Sequence, residues 1–316
     1  MKSKTVNIII LNYNGEKLLQ KYLPSVLEAA KKSDFTCQVT VVDNCSTDGS
    51  IRLLRDKFSQ VGLFQAKENK VMCSLNEYLA LTEYDIVIFL NNDVKVDPDF
   101  VDHLVRHFAD PDILFVAPKE LDMYGKYRGN LNRLAFRFGI LSSIPSRERL
   151  DCVQYDATVG GGAFDRARLL YLGGFDEIFL PGICEDFDVC YRGWKHGWKG
   201  LFEPKSFYYH EGSTTFDAKF GRSSRMALAH RNSFLFFWKN VTSRRMIFLH
   251  LILLPLFLCA AILRGRWVII KGFSQALARL PLALKRRGEV LGEFIFSDEE
   301  VRRRINLPYG RKAGKN

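Results

Sequence analysis

The chain has 316 residues, 47% of them hydrophobic and 26% charged, a globular composition that excludes a largely disordered protein. Most of the net charge of +11 lies in residues 241–316, where 15 Lys and Arg accompany 5 Asp and Glu around an uncharged apolar run. This is not the footprint of a nucleic-acid-binding module, so we expect no nucleic-acid partner. Seven scattered cysteines without a Cys-x-x-Cys pair argue against a disulfide framework and favour a reducing compartment.

The first hundred residues alternate strand and helix patterns, as α/β units around a mostly parallel sheet do. The apolar stretch before Asn12 is too short for a signal-peptide core, so we expect no export signal. Pro24 should kink the first helix. Apolar runs predict strands at 6–11, 37–42, 61–66 and 85–90, and apolar residues at helical spacing predict helices at 19–30, 50–58 and 71–81.

Polar side chains follow the first, second and fourth predicted strands. Because parallel strands end at one edge of a sheet, a single crevice could hold all of them. Asp43 offers acceptor oxygens to a base or a ribose, and Asp93 offers a carboxylate for Mg²⁺ or Mn²⁺ bridging two phosphates. The alternative is that Asp43 and Asp48 only form turns. Neither Gly-x-Gly-x-x-Gly nor a P-loop follows the first strand, so neither classical phosphate site is predicted.

In the middle of the chain, Asp97 and Pro98 are typical of a helix start. Residues 109–154 carry a poor signal and predict long loops or short mixed strands. Helices are predicted at 165–172 and from Glu185 to Gly197. The second begins with the densest acidic cluster of the chain, Glu185, Asp186 and Asp188, in which Asp188 can pair with Arg192 four residues later. An exposed helix start would have the same composition.

His210 follows a predicted strand at 206–209 and could complete a metal site or bind a phosphate, although it could equally be a histidine satisfied within the core. Residues 246–263 are uncharged and have basic residues on both sides. Positive charge at both ends favours a segment that enters and returns, or lies in the membrane interface, over one that crosses. A buried pair of helices in a soluble domain is the alternative. We therefore divide the chain into 1–240, with halves of about 1–95 and 96–240, and a basic, helical, membrane-associating region at 241–316.

Five motifs in this order resemble glycosyltransferase family 2, in particular its bacterial rhamnosyltransferase-like branch, over about residues 5–240. They are Leu11-Asn12-Tyr13-Asn14-Gly15, Val42-Asp43-Asn44 with Ser46-Thr47-Asp48-Gly49, Asn91-Asn92-Asp93, Gly173-Gly174-Phe175-Asp176-Glu177, and Glu185-Asp186-Phe187-Asp188 with Arg192. The resemblance implies a GT-A fold, that is, an α/β fold with a mostly parallel sheet flanked by helices. It also implies inverting transfer from a nucleotide-diphosphate sugar, of which rhamnosyl transfer is one case, with a divalent metal, Mg²⁺ or Mn²⁺.

The resemblance also assigns roles to particular residues. Asp93 would bind the metal and the diphosphate, with His210 as a further metal or diphosphate partner. Asp186 would be the general base, with Glu185 as the second candidate. The donor pocket would be formed by Asn12, Asn14, Asp43, Asn92 and Arg231, the last as a phosphate contact. Two departures from the family pattern are the single carboxylate of Asn91-Asn92-Asp93 and the sequence Asn69-Lys70-Val71-Met72, in which relatives commonly have a glycine after the Asn-x pair.

These observations predict a glycosyltransferase at the cytoplasmic side of a membrane, peripheral or monotopic. It would act on a cell-surface glycan or a lipid-linked acceptor and contact an anionic membrane through 241–316. The alternative is a catalytically silent GT-A-like subunit that docks at the membrane. A nucleotidyltransferase is disfavoured because no Gly-rich, basic phosphate loop follows the first strand. The sequence does not predict an oligomeric state.

Overall fold

A mixed sheet forms the centre of the molecule. The computed structural model describes residues 4–212, 221–290, 292 and 294–309. Its strands are β1 (Thr5–Asn12), β2 (Thr36–Asp43), β3 (Gly62–Gln65), β4 (Ile86–Asn91), β5 (Val94–Val96), β6 (Ile113–Leu121), β7 (Tyr127–Gly129), β8 (Asn132–Arg137), β9 (Ile140–Pro145), β10 (Gln154–Tyr155), β11 (Gly162–Asp165) and β12 (Lys199–His210). Ten of these described strands form one sheet in the order β10-β12-β6-β11-β4-β1-β2-β3, with β5 beside β12 and β7 beside β6, while β8 and β9 form a separate hairpin.

Helices cover both faces of this sheet. They are α1 (Glu16–Lys32), α2 (Ser50–Lys57), α3 (Leu75–Ala80), α4 (Phe100–Val105), α5 (Arg166–Tyr171), α6 (Glu185–Lys195), α7 (Arg222–Asn240), α8 (Arg244–Leu263), α9 (Trp267–Ala278), α10 (Leu280–Val290) and α11 (Asp298–Ile305). Side chains alternate between the faces of a strand, so Ile8 and Ile10 of β1 join the core formed with α1, α2 and α4. Ile9 joins the core formed with α3, α5, α6 and α7.

The first half of the chain agrees with the sequence prediction. All four predicted strands are present as β1 to β4, and α1 continues through Pro24 as a single helix. The helix predicted at 71–81 is a 3₁₀ turn, Val71–Ser74, followed by α3. β1 pairs in parallel with β2 and β4, which places Asn12 opposite Asp43 and Leu11 opposite Asn91. The polar residues that follow these strands therefore share one edge of the sheet.

Two predictions for the second half were wrong in detail. The helix expected to start at Asp97 and Pro98 begins at Phe100, and Asp97 instead accepts the backbone N–H of Asp99 at 2.9 Å. Residues 109–154 contain, besides the expected short strands, the nine-residue β6, which lies between β12 and β11 in the sheet. Its first six residues are buried, and the sixth of them is Pro118, which ends the apolar run and shortened the strand signal.

The region 241–316 packs against the rest of the protein as far as the structure describes it. Met246, Ala276 and Ile305 lie in the same core as residues of β4 and β11. Asp298 is fully buried and accepts hydrogen bonds from the Tyr191 hydroxyl and from Lys195 Nζ, the latter at 2.9 Å, so α11 is tied to α6. By its length and composition, α8 could cross a membrane. Of the most apolar 18 residues of this helix, 17% are buried inside the protein. The boundary predicted at residue 240 stays a prediction.

Candidate functional site

The carboxyl ends of β1, β2 and β4 carry a buried polar cluster. Asn12 donates from Nδ2 to Asp43 Oδ1 at 3.0 Å and accepts at Oδ1 from Asn92 Nδ2 at 2.7 Å. Asp43 also accepts from the hydroxyl and the backbone N–H of Ser46, at 2.6 and 2.9 Å. Asn12 and Asp43 are fully buried. The structure thus brings together three predicted donor-pocket residues from three strands.

The loop after β1 is fitted closely around this cluster. Asn14 has a φ of 49°, in the left-handed region that Asn tolerates better than most residues. Its Oδ1 accepts the backbone N–H of Thr47 at 2.7 Å, which ties the loop after β1 to the loop after β2. A Cβ atom on Gly15 would lie 2.0 Å from Asn92 Nδ2 and 2.4 Å from Asn12 Oδ1, so any larger residue would displace these two side chains. The predicted donor contact of Asn14 stays a prediction.

Asp93 and His210 lie against each other where β4 turns into β5. β5 pairs with the end of β12, which places His210 opposite Val94. His210 Nε2 is 3.1 Å from Asp93 Oδ1, and His210 Nδ1 is 2.8 Å from Glu120 Oε1. Burial lowers the pKa of His210, but the hydrogen bonds to Asp93 and Glu120 outweigh it and raise that pKa to about 9. At neutral pH and without a metal, His210 is therefore cationic between two carboxylates, and it would have to release the proton on Nε2 to bind a metal ion.

These residues fit a divalent cation that is bound together with a diphosphate. Asp93 Oδ1 is buried and lies 3.1 Å from His210 Nε2, whose hydrogen bond goes to Asp93 Oδ2 at 3.2 Å, so Oδ1 itself accepts no hydrogen bond within the described residues. A carboxylate oxygen and an imidazole nitrogen are suitable ligands for Mn²⁺, and a carboxylate on the far nitrogen of a histidine fixes the orientation of its ring. Within the same described ranges no three His, Cys, Asp or Glu side chains are arranged to hold a metal by themselves. The remaining ligands would have to be phosphate oxygens and water.

The predicted base residues Glu185 and Asp186 begin α6. The two residues before them have left-handed φ angles, 71° at Ile183 and 87° at Cys184, which is unusual for such side chains. Asp186 Oδ1 accepts the backbone N–H of Phe187 at 2.8 Å, whereas the buried Oε2 of Glu185 has no partner within the described part of the chain. Burial raises the pKa of both carboxyls, that of Glu185 to about 8, to which the neighbouring charge of Asp186 contributes. At neutral pH the pair therefore holds a proton, which the two coupled carboxyls share.

Two consecutive glycines connect the carboxyl pair with the Asp93 side of the site. A Cβ atom on Gly160 would lie 3.6 Å from Asp186 Oδ2. A Cβ atom on Gly161 would lie 3.4 Å from the Phe89 carbonyl oxygen and 3.7 Å from the Tyr208 hydroxyl. Phe89 and Tyr208 belong to β4 and β12, the strands that lead to the two candidate metal ligands. The candidate base and the strands that lead to the candidate metal ligands therefore flank the same side-chain-free segment.

The rest of α6 is fixed by a buried charge network. The predicted pair is present, with Arg192 Nε 2.8 Å from Asp188 Oδ2. Lys239 Nζ donates to both oxygens of Asp188 at 2.9 Å, and Asn240 Nδ2 donates to Asp188 Oδ1 at 2.7 Å. Burial acts to raise the pKa of Asp188, but Lys239 and Arg192 hold it below its ordinary value. Asp188 thus serves to anchor the helix that carries Glu185 and Asp186.

Arg231 lies behind the carboxyl pair. Its Nη2 atom donates to the carbonyl oxygens of Phe179 and Leu180 at 3.1 and 2.6 Å, and its Nε donates to Asn232 Oδ1 at 2.8 Å. Because Arg231 is buried and bound to the loop that leads to Glu185, the structure favours a positioning role for it over the predicted phosphate contact.

Two residues near the site were missed in the sequence. Asn232 Nδ2 donates to the carbonyl oxygens of Phe179, Gly182 and Ile183, and so holds the strained turn before α6. Its place beside Arg231 was the only available signal. Glu120, which orients His210, lies in β6, where the sequence pattern was weak. No motif marked it.

Comparisons with known proteins agree with this geometry. The family model "Glycosyl transferase family 2" matches residues 7–164, which is half of the chain, and "Glycosyl transferase family group 2" matches residues 86–284. The pre-mycofactocin glycosyltransferase of Mycobacterium tuberculosis is 30% identical over 144 residues, which are 44% of this chain and 29% of the relative. The match thus spans less than a third of that relative's length.

Solved structures share the fold at low sequence identity. GalNAc-T7 with UDP, GalNAc and Mn²⁺ has a TM-score of 0.57 at 16% identity, covering 75% of this chain and 48% of that one. Residues 1–349 of Staphylococcus aureus TarS with UDP-GlcNAc give 0.52 at 18%, covering 79% and 71%. The mannosyltransferase PcManGT of Pyrobaculum calidifontis with GDP-Man and Mn²⁺ gives 0.51 at 16%, covering 93% and 82%. The predicted GT-A type of α/β fold with C-terminal helices is confirmed. The rhamnosyltransferase-like branch stays a prediction.

Proposed function

Since this chain belongs to glycosyl transferase family 2, we propose that it transfers a sugar from a nucleotide-diphosphate donor to a hydroxyl group of an acceptor. The observation that carries this proposal is the shared glycine segment, with Asp186 beside Gly160 and the strands of the candidate metal ligands beside Gly161. A reacting sugar needs both a base and a stabilised leaving group within reach. This arrangement offers both.

Asp186 acts as the general base in the proposed reaction. The acceptor hydroxyl loses its proton to Asp186 as its oxygen attacks the anomeric carbon, and the bond from that carbon to the diphosphate oxygen breaks. A single displacement without a covalent nucleophile inverts the configuration at the anomeric carbon. In this proposal the proton that the pair shares stays on Glu185, which leaves Asp186 as the negative member at neutral pH. Glu185 is the second candidate for the base.

The donor occupies the crevice at the ends of β1, β2 and β4. Asp43 and Asn12 line the side of the nucleoside, while Asp93 and His210 hold a divalent cation together with the diphosphate. Such a cation, when bound, stabilises the negative charge that develops on the leaving diphosphate. Two neighbours of similar fold contain Mn²⁺ together with UDP or GDP-Man, which supports this assignment.

The acceptor, in our proposal, is a cell-surface glycan or a lipid-linked glycan at the cytoplasmic side of a membrane. The long apolar α8 and the basic composition of 241–316 support this location. Rhamnosyl transfer is one reaction of this kind. A silent binding subunit is disfavoured because the buried carboxyl pair is costly to keep without a reaction that uses it.

Calorimetric titration with UDP-, GDP- and deoxythymidine-diphosphate sugars, with and without Mn²⁺, tests the proposal. We expect one nucleotide to bind more tightly with Mn²⁺, and incubation of that donor with glycan or lipid-linked acceptors to yield an inverted product. Metal-dependent donor binding without any transfer or donor hydrolysis would support the silent subunit. Binding of none of these nucleotides would overturn the proposed function.

A further inference from the structure

After Arg244 and Arg245, the face of α8 that is turned away from the protein is apolar to the end of the helix. The exposed positions recur at helical spacing: Phe248, Leu251, Ile252, Pro255, Leu256, Cys259, Ile262 and Leu263. Phe248, Leu251 and Leu256 are each more than 60% exposed. At about 1.5 Å per residue, this apolar stripe extends for roughly 20 Å or more. A soluble monomer rarely exposes such a continuous stripe unless the surface binds something.

A second exposed apolar residue lies at the tip of the hairpin formed by β8 and β9. β8 and β9 are joined by Phe138 and Gly139, with φ angles of 52° and 78°. Two-residue turns with positive φ at both positions favour Asn or Asp followed by Gly. A bulky aromatic side chain in this conformation is strained, and Phe138 is also 73% exposed. Strain of this kind is typical of functional positions.

The tip of this hairpin is attached to α8 by a buried histidine. Trp238 Nε1 donates to His250 Nε2 at 3.1 Å, so Nδ1 of His250 carries the proton and donates to the Gly139 carbonyl oxygen at 2.7 Å. A Cβ atom on Gly139 would lie 3.0 Å from the backbone of His250. The hairpin tip is therefore fixed to the middle of α8, through the side of the helix opposite the exposed stripe.

The charged side chains of α8, and of the residues that follow it as far as Gly288, are all positive. Residues 241–288 contain nine Lys and Arg and no Asp or Glu. Arg244 and Arg245 at the start of α8, and Arg264 and Arg266 after its end, are exposed. Trp267, an aromatic type that favours the membrane–water boundary, follows them and is 62% exposed. Apolar side chains between exposed arginines complement an anionic lipid surface.

We propose that α8 lies in the plane of an anionic membrane surface and that Phe138 inserts beside it as a second anchor. This inference rests on one part of the proposed function, the location of the enzyme at a membrane. The opposite face of α8 holds His250 in hydrogen bonds to Trp238 and Gly139, and its Met246 is buried in the core. A helix crossing the bilayer would have to break these contacts or carry the folded protein into the lipid.

Flotation of the full chain with vesicles of phosphatidylcholine, with and without phosphatidylglycerol, tests the anchor. Phe138→Asn places a residue suited to the turn there and removes the aromatic ring, so it should fold normally and bind anionic vesicles about tenfold more weakly. Tyr124→Asn is the matched control, because Tyr124 is a 96% exposed aromatic residue in the turn between β6 and β7. Leu256→Glu tests α8 itself and should also weaken binding.

The outcomes separate the inference from the proposed function. Unchanged binding by Phe138→Asn with loss of binding by Leu256→Glu would overturn the second anchor and leave the membrane location in place. A full chain that stays in solution with anionic vesicles, for instance as a dimer that covers α8, would overturn both. Membranes of cells expressing the full chain should release it in alkaline carbonate. Retention in the membrane would show a crossing helix and overturn the in-plane position.

Discussion

Asp186→Asn separates proton acceptance from shape at the candidate base. The asparagine keeps the oxygen that accepts the Phe187 N–H at 2.8 Å, so the side chain should stay in place. A carboxamide does not accept a proton at neutral pH, and a general base contributes about 10²–10⁴-fold to a rate. We therefore expect the transfer rate to fall by this factor, about 3–5 kcal/mol in the barrier. Donor affinity should remain unchanged.

Glu185→Gln is the matched control for this variant. Because burial and the charge of Asp186 raise the pKa of Glu185 to about 8, Glu185 is neutral at pH 7. Glutamine imitates this protonated form, so the transfer rate at neutral pH should stay within about tenfold of the wild-type rate. Any change of rate near pH 8 that follows the ionisation of Glu185 should disappear.

The assay is product formation at saturating donor over a range of pH, with donor affinity measured by calorimetry on the same variants. A rate for Asp186→Asn within tenfold of wild type would refute the assignment of the base. Loss of transfer in Glu185→Gln but not in Asp186→Asn would move the role to Glu185. Loss of donor binding in Asp186→Asn would show that the side chain serves binding.

Four further predictions concern the metal, the donor crevice and stability. Asp93→Ala should abolish the gain in donor affinity that Mn²⁺ provides in calorimetry, and an unchanged gain would place the metal elsewhere. Glu120→Gln should weaken Mn²⁺ binding about 10–100-fold, because the ring of His210 loses its carboxylate partner, and an unaffected Mn²⁺ titration would contradict this. Gly15→Ala should weaken donor binding, because the Cβ atom of the alanine would meet Asn92 and Asn12. Gly288→Ala is the control, since a Cβ atom there has open space around it, and this variant should bind donor as the wild type does. Asp298→Asn should lower the free energy of unfolding by about 3–5 kcal/mol, because Lys195 loses a buried counterion. Calorimetry should show this as a fall of about 5–8 °C in Tm. The exposed Asp99→Asn is the control, and a fall in Tm no larger than in this control would contradict the prediction. Although burial acts to raise it, the Asp298 pKa is held low mainly by Lys195, so this stability is present above the pKa of an unfolded carboxyl and is lost as pH falls through the folded-state pKa.

The sequence predicts the edge of the site formed by β1, β2 and β4 because both faces of these strands are buried. Buried parallel strands give continuous apolar runs, and the polar residues that end them stand out. Glu120 could not be predicted in this way, since it lies beyond Pro118 in β6, among residues that are only half-buried. Its importance depends on the neighbouring His210, 90 positions later in the chain.

Arg231 shows a different limit. A buried arginine near a predicted phosphate site has the residue type that binds phosphates, and the resemblance to the family favoured this role. The same five donors can equally bind backbone carbonyl oxygens, and in this protein two such oxygens come from the loop before α6. Only the fold determines which acceptor lies within reach, because the loop is some 50 residues away in sequence.

The buried contact between Asp298 and Tyr191 has a consequence for the synthesis of the protein. The two residues are 107 positions apart, so α6 cannot obtain this partner until the ribosome has added and released that further length of chain. Until then Lys195 has no counterion from α11, and the helix that carries Asp186 lacks one of its supports. The nascent chain should therefore complete the strands of the candidate donor crevice well before the candidate base residues are fixed, and ribosome-bound intermediates should be inactive even when they bind donor.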